Sequence, residues 1–166
     1  MRISPMITRI LSGGQTGADR AALDFAIKHH IPHGGWVPKG RKTEDGTLDQ
    51  KYQLQKMPTD EYSKRTEKNI VDSDATLILS HASLTGGSAL TQSLADKHGK
   101  PCIHIDLSKV DIRKAVLIIN IWIHRYKIKV LNIAGPRASK DPMIYQAVTE
   151  LLEETKRAQT TLTSHV

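Results

Sequence analysis

Short apolar runs alternate with longer amphipathic stretches along this chain. The run Ile7–Ser12 predicts a first strand, ending in Gly13-Gly14-Gln15-Thr16-Gly17. Residues 18–30 predict a helix, because Ala22, Leu23, Ala26 and Ile27 recur at helical spacing. Pro32 stops it, and residues 33–37 form a weaker strand interrupted by Gly34 and Gly35. Residues 38–56 hold glycine and charge with little periodicity and read as a long loop. A polar helix over 60–72 follows, with Tyr62 and Ile70 as inward anchors. Ala75–Ser80 is apolar on both faces, which marks a central parallel strand. Next come a helix over 89–98 closed by Gly99, a strand over 101–106 and an apolar helix over 111–126. A strand over 129–134 and a last helix from 141 or 142 to about 156 complete the pattern. Residues 1–156 therefore read as a single domain, and the threonine-rich residues 157–166 as a C-terminal tail.

Strands alternating with helices imply parallel pairing through right-handed crossovers. The expected fold is α/β, a Rossmann-like doubly wound and mainly parallel sheet of about five strands with helices on both faces. A TIM barrel needs roughly 250 residues, and this chain has 166. In the doubly wound arrangement, loops leaving the carboxyl ends of the strands build the ligand crevice. Those loops are Gly13–Gly17, Pro38–Gly46, His81–Ser88 and Gly135–Ser139, and they concentrate the glycine, polar and basic residues.

Composition narrows the chemistry. The lone cysteine, Cys102, excludes a disulfide framework and any multi-thiolate metal site within one chain, and it fits a reducing cytoplasm. A net charge of +7 favours anionic ligands. The cations are scattered and lack interleaved aromatics, so nucleic acid is disfavoured as a partner. Met1–Met6 lacks the apolar core of a signal peptide, and the run Ala115–Ile123 is too short to span a bilayer. That apolar helix instead suggests a homo-oligomer.

Three loops carry candidate chemistry. Ser12–Asp19 joins a strand to a helix, where glycines admit a ligand and the helix N-terminus offers N–H groups to a phosphate. It is no Walker A loop, since Ala18 and Asp19 replace the required Lys and Ser/Thr. The bland reading is a tight turn with Asp19 stabilising the first helical turn. Gly86, Gly87 and Ser88, with Thr91 beyond, repeat the arrangement, as a second phosphate cradle or as a plain serine cap. In Gly135–Ser139, Arg137 offers a planar fork for phosphate or pairs with a surface carboxylate.

Trp36 stacks on a flat heterocycle or fills core, and Lys39 and Arg41 reach phosphate oxygens or are simply solvated. Arg65, Thr66 and Asn69 share a helical face that orients polar ligand groups or faces water. Metal binding finds no ligand set: Pro32 separates His29 from His33, and His81 stands alone. No serine lies in GxSxG, Cys102 falls in a buried strand, and no acid–base pair of carboxylates is evident.

Taken together, Ser12-Gly-Gly-Gln-Thr-Gly-Ala-Asp-Arg20, Gly34-Gly-Trp-Val-Pro-Lys-Gly-Arg41, Arg65-Thr-Glu-Lys-Asn69, Asp72–Leu79 and Val130–Ser139 strongly resemble the molybdenum cofactor carrier family. That family belongs to the Rossmann-like SLOG superfamily and is related to the lysine-decarboxylase-like phosphoribohydrolases. The resemblance runs from about Ile7 to about Leu152. It implies binding of molybdenum cofactor (molybdopterin), a phosphorylated pterin dithiolene, or of a related nucleotide-like ligand. Molybdoenzymes or cofactor-synthesis proteins would be partners. Because the cofactor's own dithiolene holds the molybdenum, no metal ligand from the chain is required.

The phosphoribohydrolases carry a PGGxGTxxE loop whose Glu serves the cleavage. Here Ser93 stands at that position, so the resemblance implies binding without an evident catalytic centre. The rival is a hydrolase of a nucleotide N-glycosidic bond, with Asp19, Glu44 or Asp72 as base. The expected site comprises Gly13, Gly14, Gln15, Thr16, Gly17 and Asp19, with Trp36, Lys39, Arg41, Arg65 and Asn69. Gly86, Gly87, Ser88, Thr91, Gly135, Arg137 and Ser139 complete it. Lys140 is expected to matter less than Arg137.

Overall fold

A computed structural model describes residues 7–163, so the reading of Met1–Met6 lies outside the described residues. The main elements are β1 (Arg9–Leu11), α1 (Ala18–Lys28), β2 (His33–Gly34), β3 (Trp36–Val37), β4 (Lys42–Thr43), β5 (Gly46–Thr47) and β6 (Gln55–Lys56). They continue with α2 (Tyr62–Val71), β7 (Ala75–Ser80), α3 (Gly86–Lys97), β8 (Cys102–Asp106), α4 (Ile112–Tyr126), β9 (Val130–Ala134) and α5 (Ile144–Thr163).

Five strands form one sheet in the order β2-β1-β9-β7-β8, every pair parallel. The register sets Ile10 opposite Leu131, and Leu77 opposite Ile133. Right-handed crossovers then place α1, α4 and α5 on one face, where they pack together, and α2 with α3 on the other. All six residues of β7 are buried, as its two-sided apolar pattern requires of a central strand. Four fully buried alanines of α1 (Ala18, Ala21, Ala22 and Ala26) let that helix lie close against the sheet, with Phe25 filling the remaining gap.

From β1 the chain steps one way to β2, and from β7 it steps the other way to β8, with β9 seated between β1 and β7. The direction of winding therefore reverses above the carboxyl ends of β1, β9 and β7. A crevice is topologically required there.

The elements differ from the pattern-based reading in three places. Residues 38–56 are not an open loop. They carry the antiparallel β4–β5 pair, β6 paired with β3, and a second small core of Leu23, Val37, Leu48, Tyr52 and Leu54. Strands of two residues are too short for any periodicity to show. Second, α3 begins at Gly86 rather than Ala89, because Thr85 N–H donates to Ser88 Oγ (3.0 Å) and starts the helix earlier.

Third, α5 runs to Thr163 instead of ending near Lys156, so the residues read as a tail are largely helical. Gln159 Nε2 donates to Asn120 Oδ1 on α4 (2.8 Å), which fixes the added turns. Thr160 and Thr161 direct their hydroxyls to carbonyls four residues back (3.1 Å each), so a threonine-rich segment is held in the helix. No helix among the described residues is long and apolar enough to cross a membrane.

Candidate functional site

A cavity of about 500 Å³ occupies the crevice. One wall is the face of α2 formed by Tyr62, Arg65, Thr66 and Asn69, spaced i, i+3, i+4 and i+7. Gly87, Ser88, Leu90 and Thr91 of the neighbouring α3 also line the cavity. The strand ends contribute Gly13, Gln15 and Asp19 from the first loop, Ser80 and His81 after β7, and Gly135, Arg137, Lys140 and Asp141 after β9.

Asp19 and Arg65 define the deep end. Asp19 is buried, accepts from Gln15 N–H (3.2 Å) and pairs with Arg65 at 3.5 Å. Burial pushes its carboxyl above the usual carboxylate range, while Arg65 and the Gln15 amide oppose that shift. Arg65 Nε is buried and has no hydrogen-bond partner among the described residues. A buried guanidinium N–H left unpaired is costly, so a site that keeps one is prepared for an external acceptor. Gly13 makes room for it, because a Cβ there would overlap the Arg65 guanidinium.

The two glycine loops serve different ends. The first is closed by its own bonds and by the loop after β9: Gly14 N–H donates to Ser12 Oγ (3.2 Å), Thr16 N–H to Gln15 Oε1 (3.0 Å) and Ala18 N–H to Pro136 O (3.2 Å). Gly17, at φ 77°, touches the Pro136 carbonyl so closely that no side chain fits. Gly14 sits against Leu48, Val37 and Leu54 in the small core. Most amides expected to meet a phosphate are therefore spent on the loop itself.

The second loop is the first turn of α3, where a helix leaves its N–H groups without intrahelical partners. Nothing lies within 4 Å of a Cβ built at Gly86 or Gly87, and Gly87 lines the cavity. Ser88 Oγ serves the local cap, accepting from Thr85 N–H and donating to Thr85 O (2.8 Å). Thr91 Oγ1 donates to Gly87 O (2.9 Å).

Glu44, at the tip of the β4–β5 pair, ties two site loops together. Its carboxylate accepts from Thr16 Oγ1, from Ser139 N–H (3.0 Å) and from Ser139 Oγ (2.5 Å). Those bonds, the Ser139 hydroxyl foremost, hold its carboxyl below the usual range. Thr16 and Ser139 thus face Glu44 rather than the cavity. Arg137 and Lys140 both reach the cavity, so Lys140 belongs with the cations of the site and not outside it. His81 is not alone: its Nδ1 meets Asp141 Oδ2 at 2.7 Å, which orients the imidazole at the rim.

Gly14, Thr16, Gly17, Gly86 and Ser139 are absent from the cavity wall, and three further expected residues are placed elsewhere. Trp36 donates through Nε1 to Asp72 (2.8 Å), exchanges main-chain bonds with the Asn69 amide, and is covered by Lys68 at 5.2 Å. Lys39 is exposed away from the cavity. Arg41 is 7% exposed, and its guanidinium donates to the carbonyls of Leu48, Asp49, Tyr52 and Leu54 at 2.8–3.2 Å.

Sequence reasoning missed Tyr62, Leu90 and Asp141 as wall residues, and placed His81 in a crevice loop but without a partner. For Tyr62 the signal was present, since it extends the Arg65–Asn69 stripe by one turn. It was expected to point inward, yet it is half exposed. The His81–Asp141 pair spans sixty positions and has no local signature. Cys102 is half-buried, and burial pushes its thiol up to about 12, which makes it a poor nucleophile. Among the described residues, no group of three or more His, Cys, Asp or Glu could hold a metal ion.

Residues 10–156 match the Circularly permutated YpsA SLOG family. A crystal structure of a Syntrophus aciditrophicus SB protein named "Putative molybdenum carrier protein" is 65% identical, with a TM-score of 0.90. The match covers 91% of this chain and 96% of that one. No curated protein gives a significant match. With the matched segment running from β1 into α5 and containing every wall of the cavity, the chain belongs to the Circularly permutated YpsA SLOG family.

Proposed function

We propose that this protein is a carrier that holds molybdenum cofactor, or a closely related phosphorylated pterin or nucleotide-like ligand, in the crevice between α2 and α3. The observation that carries this reading is the unpaired, buried Arg65 Nε in a cavity that Arg137 and Lys140 also line. Three cations gathered on a concave surface suit the phosphate of such a ligand. The residues fit the cofactor in a second respect. Its dithiolene retains the molybdenum, so the chain has only to grip phosphate and ring, and hydroxyls, amides and cations do that. The name of the 65% identical Syntrophus protein supports the same ligand class.

Native mass spectrometry of the protein from a cofactor-producing cytoplasm tests this. One bound pterin cofactor per chain is expected, and chains carrying no small ligand would contradict it. The same spectrum reports subunit number. Leu117 and Ile121, exposed on α4, support the homo-oligomer reading.

Hydrolysis of a nucleotide N-glycosidic bond is the second reading. It is favoured by Asp19, whose raised carboxyl lines the cavity. Of the other candidate bases, Glu44 is engaged by Thr16 and Ser139, and Asp72 by Trp36 and Lys68. Release of free base from nucleoside monophosphates would establish this reading, whereas a thermal shift without turnover supports the carrier.

A further inference from the structure

We propose that Tyr62 and Leu90 form a ring slot at the mouth of the cavity and grip the flat heterocycle of the ligand from α2 and α3. This rests on the reading of the cavity as an anion-holding site and adds where the uncharged end of the ligand lies.

Both side chains are large, apolar and poorly covered, Tyr62 at 50% and Leu90 at 39% exposure. Scattered exposed apolar residues are ordinary on a protein surface. Leu117 and Ile121 on α4 are exposed as well, but they do not line this cavity. Tyr62 and Leu90 both line it. Their height follows from the topology. Helices in a parallel α/β layer run opposite to the strands, so α2 and α3 both begin at the carboxyl edge of the sheet. Tyr62 is the first residue of α2, and Leu90 lies in the opening turns of α3.

Orientation follows from Arg65. The Tyr62 ring centroid is 5.7 Å from the Arg65 guanidinium, three residues further along the same face. The aromatic ring and the cation are thereby set one helical turn apart. A ligand whose phosphate meets Arg65 brings its ring system to Tyr62. Trp36, the aromatic expected for this task, is committed to Asp72 and Lys68. Because every heterocycle presents a π-face, such a slot selects for flatness rather than for one base, and Leu90 supplies the apolar counter-surface.

Calorimetric titration of the full chain with AMP, ribose 5-phosphate and inorganic phosphate tests the slot. Wild type should bind AMP at least tenfold more tightly than ribose 5-phosphate, an increment within the range of base–aromatic stacking. Tyr62→Ala should bring AMP down to the ribose 5-phosphate level without changing the latter, and Tyr62→Phe should keep the advantage. Leu90→Ala should lose part of it. Tyr62 is half exposed, so the fold should survive, which a thermal melt verifies. Equal binding of AMP and ribose 5-phosphate to wild type would overturn the slot alone, as would an AMP advantage that persists in Tyr62→Ala. If none of the three ligands binds, the anion-holding reading falls and the slot with it.

Discussion

Arg41 and Arg65 are both removed from water, yet the molecule treats them in opposite ways. Arg41 organises residues 38–56 by donating to four main-chain carbonyls of that one segment. Its charge is consumed by the fold. Arg65 lines the cavity with one long ion pair to Asp19 and the Tyr62 ring at 5.7 Å, and its Nε is left without a hydrogen-bond partner among the described residues. Arg20 Nε shares that condition. Its other nitrogens, however, hold Asp45 and the Gly14 carbonyl, and its guanidinium lies 5.4 Å from the Tyr52 ring, outside the cavity. A buried arginine with each nitrogen bonded to a carbonyl is architecture, and one that lines a concave surface with a nitrogen left unbonded is prepared for a ligand.

The sharpest way to break this contrast is to remove each arginine. Arg41→Ala strands four carbonyls in the small core and should cost about 3–4 kcal/mol of stability, read by urea denaturation. Ligand affinity of the fraction that remains folded should change little. Arg65→Ala should leave the small core intact and weaken a phosphate-bearing ligand about ten- to hundred-fold.

Arg65→Ala also carries a pH signature. Asp19 already has a raised carboxyl, and losing the cation raises it further. A group whose folded form prefers the proton loses stability as pH climbs from its unfolded value of 3.8 toward its folded value. The stability penalty of Arg65→Ala should therefore be larger at pH 7 than at pH 4. A pH-independent penalty would show that the two groups are not coupled.

A third pair separates the glycine loops. Gly13→Ala forces a Cβ into the Arg65 guanidinium and should lower both stability and affinity. Gly87→Ala meets no protein atom within 4 Å, so its melting temperature should match wild type and any loss should be confined to binding. Arg137→Ala should likewise leave the melt unchanged and weaken the ligand roughly tenfold. Lys39→Ala, exposed and away from the cavity, is the control, a role that Lys140 cannot fill because it lines the cavity.

The smallest effect concerns the β4–β5 tip. Bonds from Arg20 and Thr43 hold the Asp45 carboxyl at about 2. This folded value is depressed, so its contribution is present above the ordinary 3.8 and is lost as pH falls from about 4 to about 2. The Asp45 side chain is half exposed, and the contribution is correspondingly modest. Amide signals of Thr43 and Gly46 should shift over that window. Shifts confined to higher pH would place the weak point elsewhere.

The sequence was most informative where one periodic pattern dominated. The apolar run of β7 and the alternation of strand and helix locate the carboxyl edge. Winding reversal then locates the crevice, and residues named from the sequence such as Asp19, Arg65, Gly87 and Arg137 line it. What stayed hidden was set by contacts distant along the chain. Nothing near Arg41 distinguishes a residue that binds carbonyls from one that binds phosphate. The choice depends on a compact turn built from two-residue strands, which have no period to read. Tyr62 was on the right stripe with the wrong direction, because a helix that lines a cavity exposes the face that a packed helix would bury. His81 acquired its meaning only when the loop between β9 and α5 delivered Asp141.

The most direct test is a titration of inorganic phosphate followed by NMR of the arginine Nε–H groups. Phosphate bound beside Arg65 should move its Nε–H signal with saturable dependence on concentration, while the Arg41 signal, already bonded to a carbonyl, stays in place. A silent Arg65, or an Arg41 signal that moves with it, would contradict the assignment of the cavity as the anion-holding site.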